Sequence, residues 1–121
     1  MGKRILIVDD DAVMASSLAD YIALLYQDHD VQIAGWGPEA LAKMHRQPFD
    51  LVITDYRMPE MDGLALMERI RATHPGTDTI LMTGDGLPEL EETVFHLGGR
   101  GKLDKPFSSE ELLEVVEAVL G

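Results

Sequence analysis

Arg4-Ile5-Leu6-Ile7-Val8-Asp9-Asp10-Asp11 is an apolar run of strand length that breaks abruptly into three acids. Leu51-Val52-Ile53-Thr54-Asp55 repeats the pattern with one acid, and Lys102-Leu103-Asp104 is a weaker run that leads into Lys105-Pro106-Phe107. Val31 to Ala34 and Thr79 to Met82 supply two more runs between these. Apolarity that is continuous rather than alternating suits strands covered on both faces, as in a parallel sheet flanked by helices.

Segments with helical spacing separate the runs. Leu18, Ile22 and Leu25 form one apolar stripe, Leu41 and Met44 begin a second, and Leu66 and Ile70 a third. Leu112, Leu113, Val116 and Leu120 form the last. Asp11 reads as the N-cap of the first helix, where an acid also suits the helix dipole. Gly37-Pro38-Glu39 places proline where a first turn tolerates it. Asp62 can cap the third helix, and Ser108 with Glu111 reads as a capping box. Breakers at His74-Pro75-Gly76, Gly84-Asp85-Gly86 and Gly98-Gly99 fall where connections belong. Five strand–helix units predict one α/β domain over residues 1–121, a single doubly wound five-stranded parallel sheet with five helices. Right-handed crossovers bring every strand's C-terminal end to one edge, the side where open sheets bind ligands.

That edge gathers Asp9, Asp10, Asp55, Thr83 and Lys105 from distant parts of the chain. Crowded carboxylates raise one another's pKa values unless a cation intervenes. An all-oxygen donor set with few protein ligands favours Mg²⁺ over zinc or a fully caged Ca²⁺. Acids, a cation and a lysine together make a phosphoryl-transfer site. The Asp55 carboxylate can attack phosphorus to give an acyl phosphate. Lys105 can hold the phosphoryl oxygens, and the Thr83 hydroxyl can donate to one of them.

Composition narrows the remaining classes. Apolar content of 45% and charged content of 26% are those of a globular domain. The apolar stretches are too short for a membrane span, and Lys3-Arg4 followed by three aspartates is no secretory signal. Cysteine is absent, which removes disulfides, thiolate metal sites and cysteine nucleophiles. His29, His45, His74 and His96 show no metal-ligand spacing and read as partly exposed imidazoles. With 10 basic and 22 acidic residues the net charge is −12. Such a chain makes no direct nucleic-acid contact through phosphates and attracts cations and basic partners.

Ile5-Leu6-Ile7-Val8-Asp9-Asp10-Asp11, Asp55-Tyr56-Arg57-Met58-Pro59-Glu60-Met61-Asp62-Gly63, Leu81-Met82-Thr83-Gly84 and Asp104-Lys105-Pro106-Phe107 together resemble the receiver domain of two-component response regulators. The likeness runs from Arg4 to about Leu120. It implies a flavodoxin-like strand order 2-1-3-4-5, which pattern alone does not fix. It implies that Asp55 accepts a phosphoryl group from a sensor histidine kinase or phosphotransfer protein in a Mg²⁺-dependent reaction. Asp10, Asp55 and the main-chain carbonyl of Arg57 would contact the metal, with Asp9 acting through water. It implies a cis Lys105-Pro106 bond, and a Thr83 hydroxyl that moves toward phosphate and draws the Gly84-Asp85-Gly86 loop with it. The face formed by the fourth helix, fifth strand and fifth helix would then switch and signal to an effector. On this reading the chain is a cytoplasmic monomer or phosphorylation-dependent dimer. It catalyses only its own phosphorylation and hydrolysis and is not an enzyme.

Two departures stand out. Receivers commonly carry an aromatic three residues before the lysine. Here that position is Lys102, which reads as a solvated edge residue. Arg57 and Asp85, each two residues beyond a site residue, should overhang the phosphate and pair to limit water. Phe95 is expected to fill core, with a partner contact on the fourth helix as the alternative. Competing readings are a haloacid-dehalogenase-like phosphatase and a phosphorylation-independent interaction module. The phosphatase would use Asp9 as nucleophile, Asp11 as general acid, and Thr54 or Thr83 with Lys105 in its later motifs. A flavin binder is disfavoured, because the acid triplet would repel a flavin phosphate.

Overall fold

The computed structural model describes residues 2–120. Strands β1 (Arg4–Val8), β2 (Asp30–Ala34), β3 (Leu51–Asp55), β4 (Asp78–Thr83) and β5 (Gly101–Asp104) alternate with five helices. These are α1 (Ala12–Leu25), α2 (Gly37–Arg46), α3 (Gly63–Thr73), α4 (Pro88–His96) and α5 (Ser109–Leu120). The strands form one parallel sheet in the order β2-β1-β3-β4-β5, as the resemblance implied. Among the described residues no helix is long and apolar enough to cross a membrane.

The strand runs explain the layers. Successive side chains point to opposite faces of the sheet, so each apolar run feeds two cores. Ile5, Ile7, Leu51, Ile53, Ile80, Met82 and Leu103 pack under α1 and α5. Leu6, Val8 and Val52 pack against α2 and α3, while Leu81 meets Met67 of α3 and Val94 of α4.

The caps fall where the sequence places them. Asp11 accepts from Val13 and Met14 N–H at 3.1 Å each. Asp62 accepts from Ala65 N–H at 2.8 Å. Ser108 and Glu111 exchange reciprocal bonds of 3.1 Å. The stripe of α1 differs from expectation at its end. Ala15, Leu18, Ala19 and Ile22 are buried, but Leu25, the last residue of the helix, is exposed.

Candidate functional site

The last residues of β1, β3 and β4 and the turn after β5 converge at one edge. β1 lies between β2 and β3, so Val8 pairs in register with Thr54, and Asp9 follows directly beside Asp55. Asp55 is opposite Met82, which places Thr83 one residue further along the neighbouring strand. The Lys105–Pro106 bond is cis, and Lys105 Nζ lies 3.0 Å from Asp55 Oδ1 and 3.6 Å from Asp9 Oδ2.

The two inner acids are held differently. Asp9 is 1% exposed. Its Oδ1 accepts from Asp11 N–H at 2.9 Å, while its buried Oδ2 has no hydrogen-bond partner. Burial pushes the Asp9 carboxyl above its ordinary pKa, with the charges of Asp55 and Asp10 adding to the rise. The Asp11 N–H and the Lys105 charge oppose it. Burial alone would lower the Lys105 pKa, but the hydrogen bond and charge of Asp55, with help from Asp9, hold it above the ordinary value.

A carboxylate oxygen buried without a hydrogen bond, its ammonium neighbour 3.6 Å away, is costly, and a bound cation would offset that cost. Asp9, Asp10 and Asp55 can each offer one oxygen, all lying within 4.8 Å of one another. This donor set is hard, anionic and all-oxygen, so it fits a divalent cation of the Mg²⁺ class. Asp10 is exposed and lines the mouth of the site with Tyr56, Arg57, Met58, Pro59 and Asp62, leaving one side open to water and substrate.

Thr83 is buried, and its Oγ1 accepts from Asp85 N–H at 3.0 Å, which leaves the hydroxyl proton free to donate. The pairing of Arg57 with Asp85 is present: Nη2 and Nε lie 2.9 and 3.0 Å from Asp85 Oδ2. The Arg57 guanidinium also lies over the Tyr56 ring, 5.2 Å from its centroid. Thr54 Oγ1 donates to the Asp55 carbonyl at 3.0 Å and does not enter the cluster.

Two expectations about the neighbouring strand and helix are corrected. Lys102 is not a solvated edge residue: its side chain is 8% exposed and its Nζ lies 2.6 Å from Asp104 Oδ1. Phe95 does not fill core, since α4 buries Leu90 and Val94 instead and leaves Phe95 76% exposed. Sequence reasoning also missed Gly63. A Cβ there would lie 2.3 Å from the Asp55 carbonyl oxygen and 2.6 Å from Leu81 Cδ1. Glycine at the start of α3 thus lets the helix approach the backbone that carries Asp55.

The sheet order defines a flavodoxin-like α/β domain, with the acid–lysine cluster at the C-terminal edge of its strands. The family described as "Response regulator receiver domain" matches residues 5–117. A probable transcriptional regulatory protein TcrX of Mycobacterium tuberculosis is 34% identical over 116 residues, covering 96% of this chain and 49% of the relative. A probable chemotaxis protein CheY of Rhizobium etli is 35% identical over 121 residues, covering 98% and 92%. The chain thus spans about half of the first relative and most of the second. The crystal structure of a CheY-like receiver domain protein from Methanospirillum hungatei superposes with a TM-score of 0.86 at 33% identity, covering 98% of this chain and 93% of that one. The chain belongs to the response regulator receiver domain family of two-component systems.

Proposed function

We propose that the chain accepts a phosphoryl group on Asp55 from a phosphohistidine of a sensor kinase or phosphotransfer protein, with Mg²⁺ bound. The observation that carries this reading is the contact of Asp55 Oδ1 with Lys105 Nζ at 3.0 Å, beside the unpartnered Asp9 oxygen. An Asp55 oxygen attacks phosphorus, the P–O bond forms and the P–N bond to imidazole breaks. The leaving imidazole takes a proton from water. Hydrolysis reverses the storage: a water oxygen attacks phosphorus, inorganic phosphate departs and the carboxylate is restored.

The residues divide the work. Asp55 is the nucleophile, Lys105 holds a phosphoryl oxygen, and the free Thr83 proton is available to another. Asp9, Asp10, Asp55 and the Arg57 carbonyl would hold the cation. When bound, Mg²⁺ neutralises charge on the carboxylates and on the phosphoryl oxygens. Arg57 and Asp85 lie over the site and limit water. The chain turns over no independent substrate, so we do not class it as an enzyme. Movement of Thr83 would shift the packing of α4, β5 and α5, the face that signals to an effector.

A phosphatase reading needs Asp9 as an accessible nucleophile and Asp11 as a free acid. Burial of Asp9 and capping by Asp11 support neither role. The test is intact mass after incubation with a small acyl phosphate and Mg²⁺, on wild type, Asp55→Asn and Asp9→Asn. An adduct that requires Mg²⁺ and vanishes in Asp55→Asn is expected. One that survives Asp55→Asn but not Asp9→Asn would establish the phosphatase. No adduct in any protein would leave the interaction module.

A further inference from the structure

His45 and His74 are far apart in the chain, and the fold brings their rings together. Ala40 and Met44 of α2 share a core with Leu66 and Ile70 of α3, so the two helices run side by side. His45 lies in the last turn of α2, and His74 caps the C-terminus of α3. Their ring centroids are 5.4 Å apart and the planes are tilted by 56°. β3 and β4 begin shortly after these helix ends, so the pair sits at the edge of the sheet opposite Asp55. His45 is exposed and His74 half-buried, which leaves the pair open to solutes.

Hydrogen bonding fixes the tautomer of His74. Thr73 Oγ1 donates its one proton to the Arg69 carbonyl at 2.7 Å. The 2.8 Å contact between Thr73 Oγ1 and His74 Nδ1 therefore places a proton on Nδ1. Neutral His74 then keeps its lone pair on Nε2. An imidazole with one nitrogen tied down as a donor and the other free is the usual form of a metal ligand. Two imidazole nitrogens about 2 Å from one tetrahedral ion set their ring centroids roughly 5 Å apart, which matches the observed pair. Both helix C-termini turn free carbonyls and the negative end of the dipole toward this region, favouring a cation. Arg46 adjoins His45 and opposes one, against a net charge of −12 that draws it.

We propose that His45 and His74 bind one divalent transition ion of the Zn²⁺ class, with Thr73 positioning the His74 ring. Nitrogen donors select Zn²⁺, Cu²⁺ or Ni²⁺ over Mg²⁺, so this site differs in kind from the all-oxygen edge. Among the described residues no third histidine or carboxylate completes a cluster with the pair, so water fills the other positions and the ion is exchangeable. Bound there, it ties the ends of α2 and α3 together. Nothing in this depends on phosphoryl chemistry at Asp55.

The experiment is a Zn²⁺ titration of the untagged, ¹⁵N-labelled full chain, read at the imidazole nitrogens, with excess Mg²⁺ to occupy the acid edge. In wild type, His74 Nε2 and one ring nitrogen of His45 should shift along a single binding curve. Thr73→Val should weaken binding about tenfold, the lower end for loss of an outer partner, and Thr73→Ser should restore it. His45→Gln and His74→Gln should each weaken it further. His29→Gln, His96→Gln and Asp55→Asn should leave the curve unchanged. Urea denaturation in metal-free buffer establishes that each variant is folded. Zn²⁺ shifts at His96, whose Nε2 lies 3.6 Å from Glu92, in place of the pair would overturn the proposal. So would a curve that survives His45→Gln, or one lost in Asp55→Asn. No Zn²⁺ shift at either ring would reduce the pair to an aromatic contact.

Discussion

Lys102 donates to Asp104 along β5, with Nζ 2.6 Å from Oδ1 and the lysine side chain almost covered. Residues two apart on a strand share a face, and register sets Lys102 beside Leu81 and Asp104 beside Thr83. The lysine stem thus fills space under α4 that the family commonly gives to an aromatic, while Asp104, more than half exposed, takes the charge.

Packing should outweigh charge at this position. Lys102→Met keeps most of the stem, and an ion pair with one exposed partner is worth only about 0–1 kcal/mol. Lys102→Ala also removes the stem and should cost about 2 kcal/mol, in the range of a core truncation. Urea denaturation of both variants decides it. Equal losses would mean that the ion pair, not the stem, dominates.

The burial of Lys102 marks where sequence reading stopped. Strand runs, the Asp11, Asp62 and Ser108 caps and the acid–lysine edge depend on local pattern and on one topological rule, so they were legible. The i, i+4, i+7 stripe of Leu90, Val94 and Leu97 sets Phe95 apart, beside Glu91 and Glu92, so its exposure was a signal the sequence carried. The Asp9 carboxylate differs: its burial beside Asp55 and Lys105 exists only once β1, β3 and the turn after β5 come together.

The Arg57–Asp85 pair should act on kinetics rather than stability. Arg57 is 73% exposed, so Arg57→Ala should change unfolding free energy by less than about 1 kcal/mol. If the pair limits water over the acyl phosphate, hydrolysis should accelerate severalfold in Arg57→Ala and in Asp85→Ala, with no further gain in the double variant. Loss of the adduct followed by intact mass gives the rate. An unchanged rate in Arg57→Ala sinks the role.

Asp9 makes a signed prediction about pH. Its carboxyl is raised in the folded protein above the 3.8 of the unfolded chain, chiefly by burial. The folded state therefore binds the proton more tightly. This contribution to stability is fully present below pH 3.8 and is lost as pH rises through the folded value. At neutral pH the metal-free protein carries the cost of the buried charge. Asp9→Asn should raise its melting temperature at pH 7, with the difference shrinking toward pH 4. Mg²⁺ should stabilise wild type through binding to the folded state and stabilise Asp9→Asn much less. Thermal melts with and without Mg²⁺ test both, and a lower melting temperature for metal-free Asp9→Asn would refute the assignment.

Gly63 supplies the sharpest link between packing and site. A methyl group there meets the Asp55 carbonyl oxygen at 2.3 Å and the Tyr56 Cα at 3.0 Å, and neither backbone atom can rotate away. The Gly63 N–H also donates to the Tyr56 carbonyl at 2.8 Å, tying the start of α3 to the end of β3. Gly63→Ala must push these elements apart. Overpacking of this kind costs about 1–3 kcal/mol, more than the gain from replacing glycine in a helix. Because the displaced backbone carries Asp55, the variant should also bind Mg²⁺ more weakly and form the phosphoryl adduct more slowly. Gly76→Ala is the control, since a Cβ there meets nothing within 4 Å. If Gly63→Ala matches that control in denaturation and in Mg²⁺ titration, the close approach of α3 to β3 does not position the acceptor.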